Sequence, residues 1–333
     1  MKNKVIVLHR TPVGALSDGD LALKVRDVGE LLPGFIRVAV EYISVEPAMR
    51  GWVTNRTDYM PRLAPGDTLH AFGIGVVIQS EHAGFTVGQK VIGNLGAQEI
   101  ADINPEMTEL RTALPEPVPS SIQLGMAGIT GLTAFFGMTK IARPSVGETF
   151  VVSAAAGAVG SVAGQLARLA GCKVIGIAGS DAKSLWLTRE LGFDAVINRH
   201  SENVKARLDE LCPEGIDIYF DNVGGDILDT CLSRLRKGAR VVLCGGIATY
   251  NATEKPAGPA NYFALVHRSA LMQGFIVLDY LDEFEPAIEW IMTQYNAGLL
   301  INREEMFTGV ESLPNALNAL FDGSNTGKVL VKT

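Results

Sequence analysis

Three small residues with the spacing A-x-G-x-x-G, namely Ala155, Gly157 and Gly160, form a motif that could hold the phosphates of a dinucleotide. The apolar run 150–152 before the motif predicts a buried strand, and apolar residues at helical spacing follow it until Gly171. Gly157 would let the backbone approach a pyrophosphate, Gly160 would let the helix pack close to the strand, and the first N–H groups of the helix would face the phosphates. The alternative is a strand-to-helix turn whose small residues serve tight packing alone.

Composition limits the classes of protein to which the chain can belong. Of its 333 residues 47% are hydrophobic and 20% charged, which suits two domains with a large core. A net charge of −7, with no block of Lys or Arg, argues against a nucleic-acid partner. Residues 149–167 are uncharged and long enough to span a bilayer, but Gln165 and the many Ala, Gly and Ser residues indicate buried soluble structure, not a membrane segment.

The N-terminal sequence and the cysteines bear on location. The apolar run in M-K-N-K-V-I-V-L-H-R is too short for a signal peptide. The four cysteines show no paired spacing; they are Cys172, Cys212, Cys231 and Cys244. The expected location is therefore the reducing cytoplasm.

Strand-like runs and turn residues divide the chain into two domains. Residues 1–122 are mostly β, as in a small barrel, with apolar runs at 5–8, 35–40 and 75–78. The proline-rich segment 114–119 cannot be a helix interior, so we place the domain boundary after it. Residues 123–299 alternate strands and helices, which predicts a doubly wound parallel sheet. Residues 300–333 are expected to return to the first domain, with a strand at 327–332.

The predicted strands that follow the first one in 123–299 are 173–178, 195–197, 216–220, 240–243 and 271–277. The Pro/Gly-rich segment 251–261 follows the fifth strand of that domain. It is either a mobile lid over a site or a plain surface loop.

Eight motifs follow one another along the chain: V-E-P-A-M-R-G (45–51), G-L-T-A-F-F-G (131–137), the dinucleotide stretch 148–171, G-I-A-G-S-D-A-K (176–183), Y-F-D-N-V-G-G (219–225), C-G-G-I-A-T-Y-N (244–251), G-F-I-V (274–277) and G-S-N-T-G-K (323–328). In this order they resemble the zinc-free medium-chain dehydrogenase/reductases, in the branch of leukotriene B4 12-hydroxydehydrogenase/prostaglandin reductase, plant alkenal double-bond reductases and bacterial curcumin reductase. The resemblance implies an α/β protein with a Rossmann NADPH-binding domain and a GroES-like β-barrel substrate domain.

The resemblance also implies a set of residues that contact NADPH: Thr133, Gly157, Ala158, Val159, Gly160, Lys183, Asn222, Cys244, Gly245, Gly246, Ile247, Tyr250, Phe275, Ile276, Val277 and Asn325. Lys183 begins the helix after the second strand, where an NAD-selective protein would carry an acid, and so suits a 2′-phosphate. Several of these residues have plainer explanations. Lys183 could be an ordinary solvated lysine, Asn222 could cap a turn, and Asn325 could be a turn residue. Cys244 is expected to be packed and not a nucleophile.

Tyr250 is the expected catalytic residue. The resemblance places its phenol at the substrate carbonyl, where it could donate a hydrogen bond to a developing enolate oxygen. The alternative is a tyrosine that anchors its own loop.

The chain departs from the family pattern at two positions. Ala48 stands where relatives usually have a substrate-contacting Tyr, so the pocket should be wider there or filled by another side chain such as Trp52. Asn198-Arg199-His200 replaces the usual Asn-Tyr-Lys. Arg199 is therefore an expected ligand of the 2′-phosphate, with a solvated surface arginine as the alternative.

The histidines and cysteines do not form a recognisable metal site. Residues 1–122 contain no cysteine, and His9, His70 and His82 have no ligand spacing. Addition of hydride to a C=C bond conjugated with a carbonyl needs only enolate stabilisation and a proton. The expected function is zinc-independent, NADPH-dependent reduction of α,β-unsaturated aldehydes and ketones by a homodimer. The alternatives are a quinone oxidoreductase of the zeta-crystallin type and an NADPH-binding protein without turnover.

Overall fold

The chain folds as two units, each built on its own sheet. The computed structural model describes residues 1–55 and 59–333. One unit comprises Met1–Gly125 and Glu304–Thr333, and the other comprises Met126–Arg303.

The unit Met126–Arg303 is built on a six-stranded parallel sheet. Its strands are β8 (Thr149–Ser153), β9 (Lys173–Ala178), β10 (Ala195–Asn198), β11 (Ile216–Asp221), β12 (Leu235–Leu243) and β13 (Leu271–Gly274), in the spatial order β10-β9-β8-β11-β12-β13. All neighbouring pairs are parallel. This is the doubly wound Rossmann order, with the switch point between β8 and β11.

The helices of this unit are α3 (Ile129–Phe136), α4 (Ala158–Leu169), α5 (Asp181–Arg189), α6 (Val204–Leu211), α7 (Gly225–Leu232), α8 (Ala264–Arg268) and α9 (Phe284–Asn296). A π-helix spans Gly137–Ala142, and 3₁₀ turns span Ile247–Thr249, Ala260–Phe263 and Val277–Glu283. Every residue of β11 is buried, because parallel strands between helix layers have no solvent face.

Helix α4 packs closely against the residue that follows β8 and against Phe193, and two of its glycines permit these approaches. A Cβ on Gly160 would lie 2.4 Å from the Ala154 carbonyl oxygen, and one on Gly164 would lie 2.0 Å from the Phe193 ring. The helix ends at Leu169, shortly before Gly171 with φ +81°. Across 1–55 and 59–333, no helix has the length and apolarity that a membrane crossing requires.

Two strands of this unit differ from the sequence predictions by three residues or more. The fifth strand of the domain begins at Leu235, not at residue 240. The sixth ends at Gly274, and Val277 already begins a 3₁₀ turn, so the prediction of 271–277 was too long. The reason is that Gly274 pairs with Leu243, the last residue of β12, so residues 275–277 have no neighbouring strand.

The other unit is mostly antiparallel. Its strands are β1 (Lys2–Leu8), β2 (Leu21–Asp27), β3 (Ile36–Ser44), β4 (Phe72–Ser80), β5 (Lys90–Asn94), β6 (Ile100–Ile103), β7 (Leu110–Thr112), β14 (Glu304–Thr308) and β15 (Lys328–Lys332). β1 pairs with β2, the order β14-β15-β3-β4-β5-β7 forms the main sheet, and β6 pairs with β3. Among the described residues of this GroES-like unit, the helices are α1 (Met49–Trp52), α2 (Ser120–Leu124) and α10 (Leu313–Asp322), and a 3₁₀ turn spans Val310–Ser312. Since β15 lies antiparallel to β3, the C-terminal strand joins the sheet formed by the first part of the chain.

Candidate active site

The carboxyl ends of β8 and β11 meet at the switch point around a buried acid, Asp221. Its carboxylate accepts hydrogen bonds from the Tyr219 phenol at 2.7 Å and the Ser153 hydroxyl at 3.0 Å, and from the Gly224 N–H at 3.1 Å. Burial, assisted by Cys231 and Asp221, raises the pKa of Tyr219 well above its usual value, so this phenol remains a donor. Asp221 was not among the residues predicted from the sequence, although an acid at the end of an apolar strand is a signal that could have identified it.

Asn222 is oriented by Ser153 across the switch point. Its backbone N–H donates to Ser153 Oγ at 2.9 Å, and its Nδ2 donates to the Ser153 carbonyl at 2.8 Å. A carboxamide has two donor hydrogens and one acceptor oxygen. The contact with Ser153 uses one of those hydrogens and fixes the plane of the group, so Oδ1 has a defined direction in which to meet a donor.

The turn that follows β12 brings Tyr250 to the same edge. The N–H groups of Cys244 and Gly245 donate to the Asp221 carbonyl at 2.9 and 3.1 Å. The Tyr250 phenol oxygen accepts the Gly246 N–H at 3.3 Å. This contact fits the loop-anchor alternative, but a phenol can accept one hydrogen bond and donate another.

Cys244 lies in this turn and is only partly exposed. Loss of hydration around its sulfur, with a smaller contribution from Asp221, raises the pKa of the thiol to about 12. The group is therefore a neutral thiol at physiological pH. This agrees with the expectation of a packed residue and argues against a nucleophile.

The N-terminus of α4 has the geometry of a phosphate site. Gly157 precedes the helix in extended conformation (φ −85°, ψ 175°) and carries no side-chain cap. The Ser161 N–H makes a helical bond to the Gly157 carbonyl at 3.0 Å. The N–H groups of Ala158, Val159 and Gly160 precede it, and helix geometry gives them no partner within the helix. Donors without a competing cap at a helix N-terminus fit a pyrophosphate.

Arg199 directly follows β10, and Lys183 lies in the first turn of α5, the helix that follows β9. Asn198 pairs with Ala178, so the residues that follow β10 and β9 are adjacent. Arg199 Nε lies 3.8 Å from the point where a Cβ on Gly179 would stand. The nearby acid Asp181 accepts a hydrogen bond from Asn198 Nδ2 at 2.7 Å. Part of its acceptor capacity is thus used within the protein.

The remaining residues from the sequence analysis fall into two groups. Phe275, Ile276 and Val277 leave the end of β13, and the Phe275 ring lies 3.2 Å from where a Cβ on Gly137 would stand. Thr133 lies on α3 in the same unit and donates its hydroxyl to the Ile129 carbonyl at 2.7 Å.

Ala48 and Asn325 belong to the GroES-like unit. Ala48 precedes α1 and is half-buried, packed against the core cluster that contains Trp52. Trp52 contacts Phe72 edge-on, so its ring fills the core of the unit. Asn325 is buried, and its Nδ2 donates to the Gly327 carbonyl at 3.4 Å.

Within residues 1–55 and 59–333, no group of three or more His, Cys, Asp or Glu side chains could hold a metal ion. His70 and His82 make local contacts instead. His70 Nε2 lies 3.0 Å from the Pro61 carbonyl oxygen, and His82 Nε2 lies 3.2 Å from Glu106.

Comparison with known proteins gives a consistent family. Residues 4–110 match the model of an N-terminal domain of oxidoreductase, and residues 158–293 match the model named zinc-binding dehydrogenase. The chain is 40% identical over 331 residues to a putative NADP-dependent oxidoreductase of Bacillus subtilis, covering 98% of this chain and 96% of that protein. It is 35% identical to a 2-alkenal reductase (NADP(+)-dependent) of Nicotiana tabacum, covering 99% and 97%.

The crystal structure of CurA from Vibrio vulnificus in complex with NADPH superposes with a TM-score of 0.93 at 36% identity, covering 99% of both chains. Sequence and structure are therefore shared over the full length of both units. The chain belongs to the medium-chain dehydrogenase/reductase family, in the branch that contains the curcumin, alkenal and prostaglandin reductases.

Proposed function

We propose that the chain is an NADPH-dependent reductase of the C=C bond of α,β-unsaturated aldehydes and ketones that works without zinc. The observation that carries this proposal is the joint placement of an uncapped α4 N-terminus, the oriented Asn222 amide and the Tyr250 phenol at one carboxyl edge. Ligands of open α/β sheets bind at that edge. The 2-alkenal reductase relative supports the choice of substrate class.

We assign NADPH to this edge because its donors match the parts of a dinucleotide. The N–H groups of Ala158, Val159 and Gly160 would face the pyrophosphate, and Lys183 with Arg199 would face the 2′-phosphate. The nicotinamide would lie among Asn222, the turn after β12 and the segment after β13. The turn and the segment consist of Cys244, Gly245, Gly246, Ile247, Tyr250, Phe275, Ile276 and Val277. Thr133 and Asn325 are assigned by family resemblance.

Bound NADPH supplies the hydride that adds to the β carbon of the substrate. Negative charge then develops on the carbonyl oxygen as an enolate, and Tyr250 donates a hydrogen bond to that oxygen. A proton added at the α carbon completes the reduction, so the C=C bond becomes a single bond and the carbonyl is regenerated. Ala48 lines the substrate side and leaves room for a bulky enone.

Zinc independence is supported by the ligand chemistry of the first domain. Residues 1–122 contain no cysteine, and the histidines His70 and His82 are engaged in local contacts. A polarised enone needs stabilisation of one oxygen, which a phenol can provide without a Lewis acid.

A substrate panel tests the function. NADPH oxidation is measured with trans-2-alkenals, bulky enones and quinones. Faster turnover of enals and enones than of quinones supports the proposal. Preferential turnover of quinones would favour a quinone oxidoreductase, and NADPH binding without turnover of any substrate would favour a binding protein.

We further propose a cytoplasmic homodimer. The four cysteines are free thiols, as in a reducing compartment. In the described sheet β13 is an edge strand, and exposed apolar residues lie on and beside it: Tyr262, Phe263, Val266, Leu271 and Ile276. An antiparallel pairing of two copies at this edge would cover them. Analytical ultracentrifugation should give the mass of a dimer, and Leu271→Glu should give that of a monomer; a wild-type monomer would contradict this proposal.

A further inference from the structure

Two of the sequence motifs, V-E-P-A-M-R-G and G-S-N-T-G-K, meet inside the GroES-like unit through a buried ion pair. Lys328 is 2% exposed and Glu46 is 7% exposed. The Lys328 ammonium donates to the Val45 carbonyl at 3.1 Å, and its nitrogen lies 3.7 Å from Glu46 Oε1. The proposed reduction uses neither residue.

The surroundings hold both side chains in place. Ser44, the last residue of β3, donates its hydroxyl to Glu46 Oε1 at 2.7 Å. The Val45 N–H donates to the Val329 carbonyl at 3.1 Å. A Cβ on Gly125 would lie 3.4 Å from Lys328 Cγ, so the lysine stem packs directly against the glycine backbone.

Stability alone gives no reason for this pair. Removing two charges from water is costly, and well-packed apolar residues at such places are often as stable or more stable. Burial lowers the pKa of Lys328, although Glu46 and Glu304 oppose the shift, so loss of hydration outweighs the attraction. The positions of Glu46 and Lys328 in the chain indicate a role other than stability.

The ion pair links the two segments of this unit that carry Ala48 and Asn325. These are the residues that the proposed function places at the substrate and at NADPH. Glu46 precedes Ala48 by two residues, and its carbonyl accepts the Met49 N–H at 3.0 Å. Lys328 follows Asn325 by three residues and begins β15. We propose that Lys328 and Glu46 are positioning residues that hold Ala48 and Asn325 in one fixed arrangement. This inference rests on the proposed function.

The test replaces both charges together. Lys328→Met alone would leave an unpaired buried carboxylate and destabilise the protein. In the double variant Glu46→Gln with Lys328→Met, the glutamine can still accept from Ser44. If the ion pair positions Ala48 and Asn325, the double variant should melt within a few degrees of wild type. Its kcat/KM for enones should nevertheless fall by about tenfold to a hundredfold. The values of kcat/KM for small alkenals and for bulky enones should also become more nearly equal.

A matched control lies at the opposite end of β3. Arg37 contacts Asp102 through two hydrogen bonds, of 2.7 and 2.8 Å, in the same unit. Arg37→Met with Asp102→Asn should leave kcat/KM and the substrate ratio within about twofold of wild type. If the double variant at residues 46 and 328 does not fold, Ser44→Ala takes its place, and it should shift the substrate ratio in the same direction by a smaller factor.

Failure of the positioning role and failure of the proposed function give different results. Wild-type activity and substrate ratio in the folded variant would overturn the positioning role and leave the proposed function intact. A wild-type protein that quenches its tryptophan fluorescence on binding NADPH but reduces no enal or enone would overturn the proposed function, and this inference with it.

Discussion

We expect selectivity for NADPH over NADH to depend on Lys183 and Arg199, which follow the neighbouring strands β9 and β10. Lys183 is half-buried as the third residue of α5, and Arg199 is exposed beside Gly179. The perturbation consists of Lys183→Ala, Arg199→Ala and the double variant. Each removes a cation without altering the residues proposed to hold the nicotinamide.

The magnitude follows from the strength of charged hydrogen bonds. Each contributes about 1.5–3 kcal/mol where water is limited. Two contacts at partly exposed positions should give roughly 2–4 kcal/mol after screening. Each 1.4 kcal/mol corresponds to about tenfold. We therefore expect NADPH to be preferred at least about a hundredfold, with part of that preference lost in Lys183→Ala and most of it in the double variant.

The assay is kcat/KM for NADPH and for NADH at low salt. NADH values should change little, because NADH lacks the 2′-phosphate. Arg189→Ala is the control, since Arg189 is an exposed cation at the other end of α5. An unchanged KM for NADPH in Arg199→Ala would show that Arg199 is a solvated surface residue. An unchanged NADPH preference in the double variant would refute the whole assignment.

Four further outcomes are expected. Tyr250→Phe should lower enone turnover by about tenfold at nearly constant NADPH affinity, less than the 10²–10³ typical of a lost oxyanion donor, since the nicotinamide ribose 2′-hydroxyl can share the role; unchanged turnover would remove Tyr250 from the mechanism. Ala48→Tyr should narrow the pocket and shift the ratio of specificity constants toward small alkenals, and a constant ratio would show that Ala48 does not line it. Exhaustive chelation should leave activity intact, whereas stoichiometric zinc whose removal abolishes activity would contradict zinc independence. Arg240 donates to both Glu148 oxygens, at 2.8 and 2.6 Å, and lowers the pKa of that carboxyl. The stability that this ion pair contributes is fully present above the ordinary Glu pKa and is lost as the pH falls through the lowered value. The difference in melting temperature between wild type and Glu148→Gln should therefore be largest near pH 7 and should narrow as the pH falls below the ordinary Glu pKa.

The local elements and their order along the chain could be predicted from the sequence. Buried parallel strands are nearly continuous apolar runs, so β8, β9 and β11 were recognisable within one or two residues. Gly160 was predicted to allow close packing, and a Cβ at this position would lie only 2.4 Å from the Ala154 carbonyl oxygen, which leaves no room for a side chain. The parallel order also follows from the alternation of strands and helices, and it brings the ends of β9 and β10 together.

Tertiary structure alone decided where apolar runs stop pairing and which polar residues meet. Residues 275–277 look like strand, but β12 ends opposite Gly274 and leaves them no neighbour. Asp221 meets the Ser153 hydroxyl 68 residues earlier in the chain, and Lys328 meets the Val45 carbonyl 283 residues away. Hydrophobic periodicity reports which face of an element is buried, whereas a buried charge is tolerated only through partners that the fold supplies, and those partners leave no local trace in the sequence.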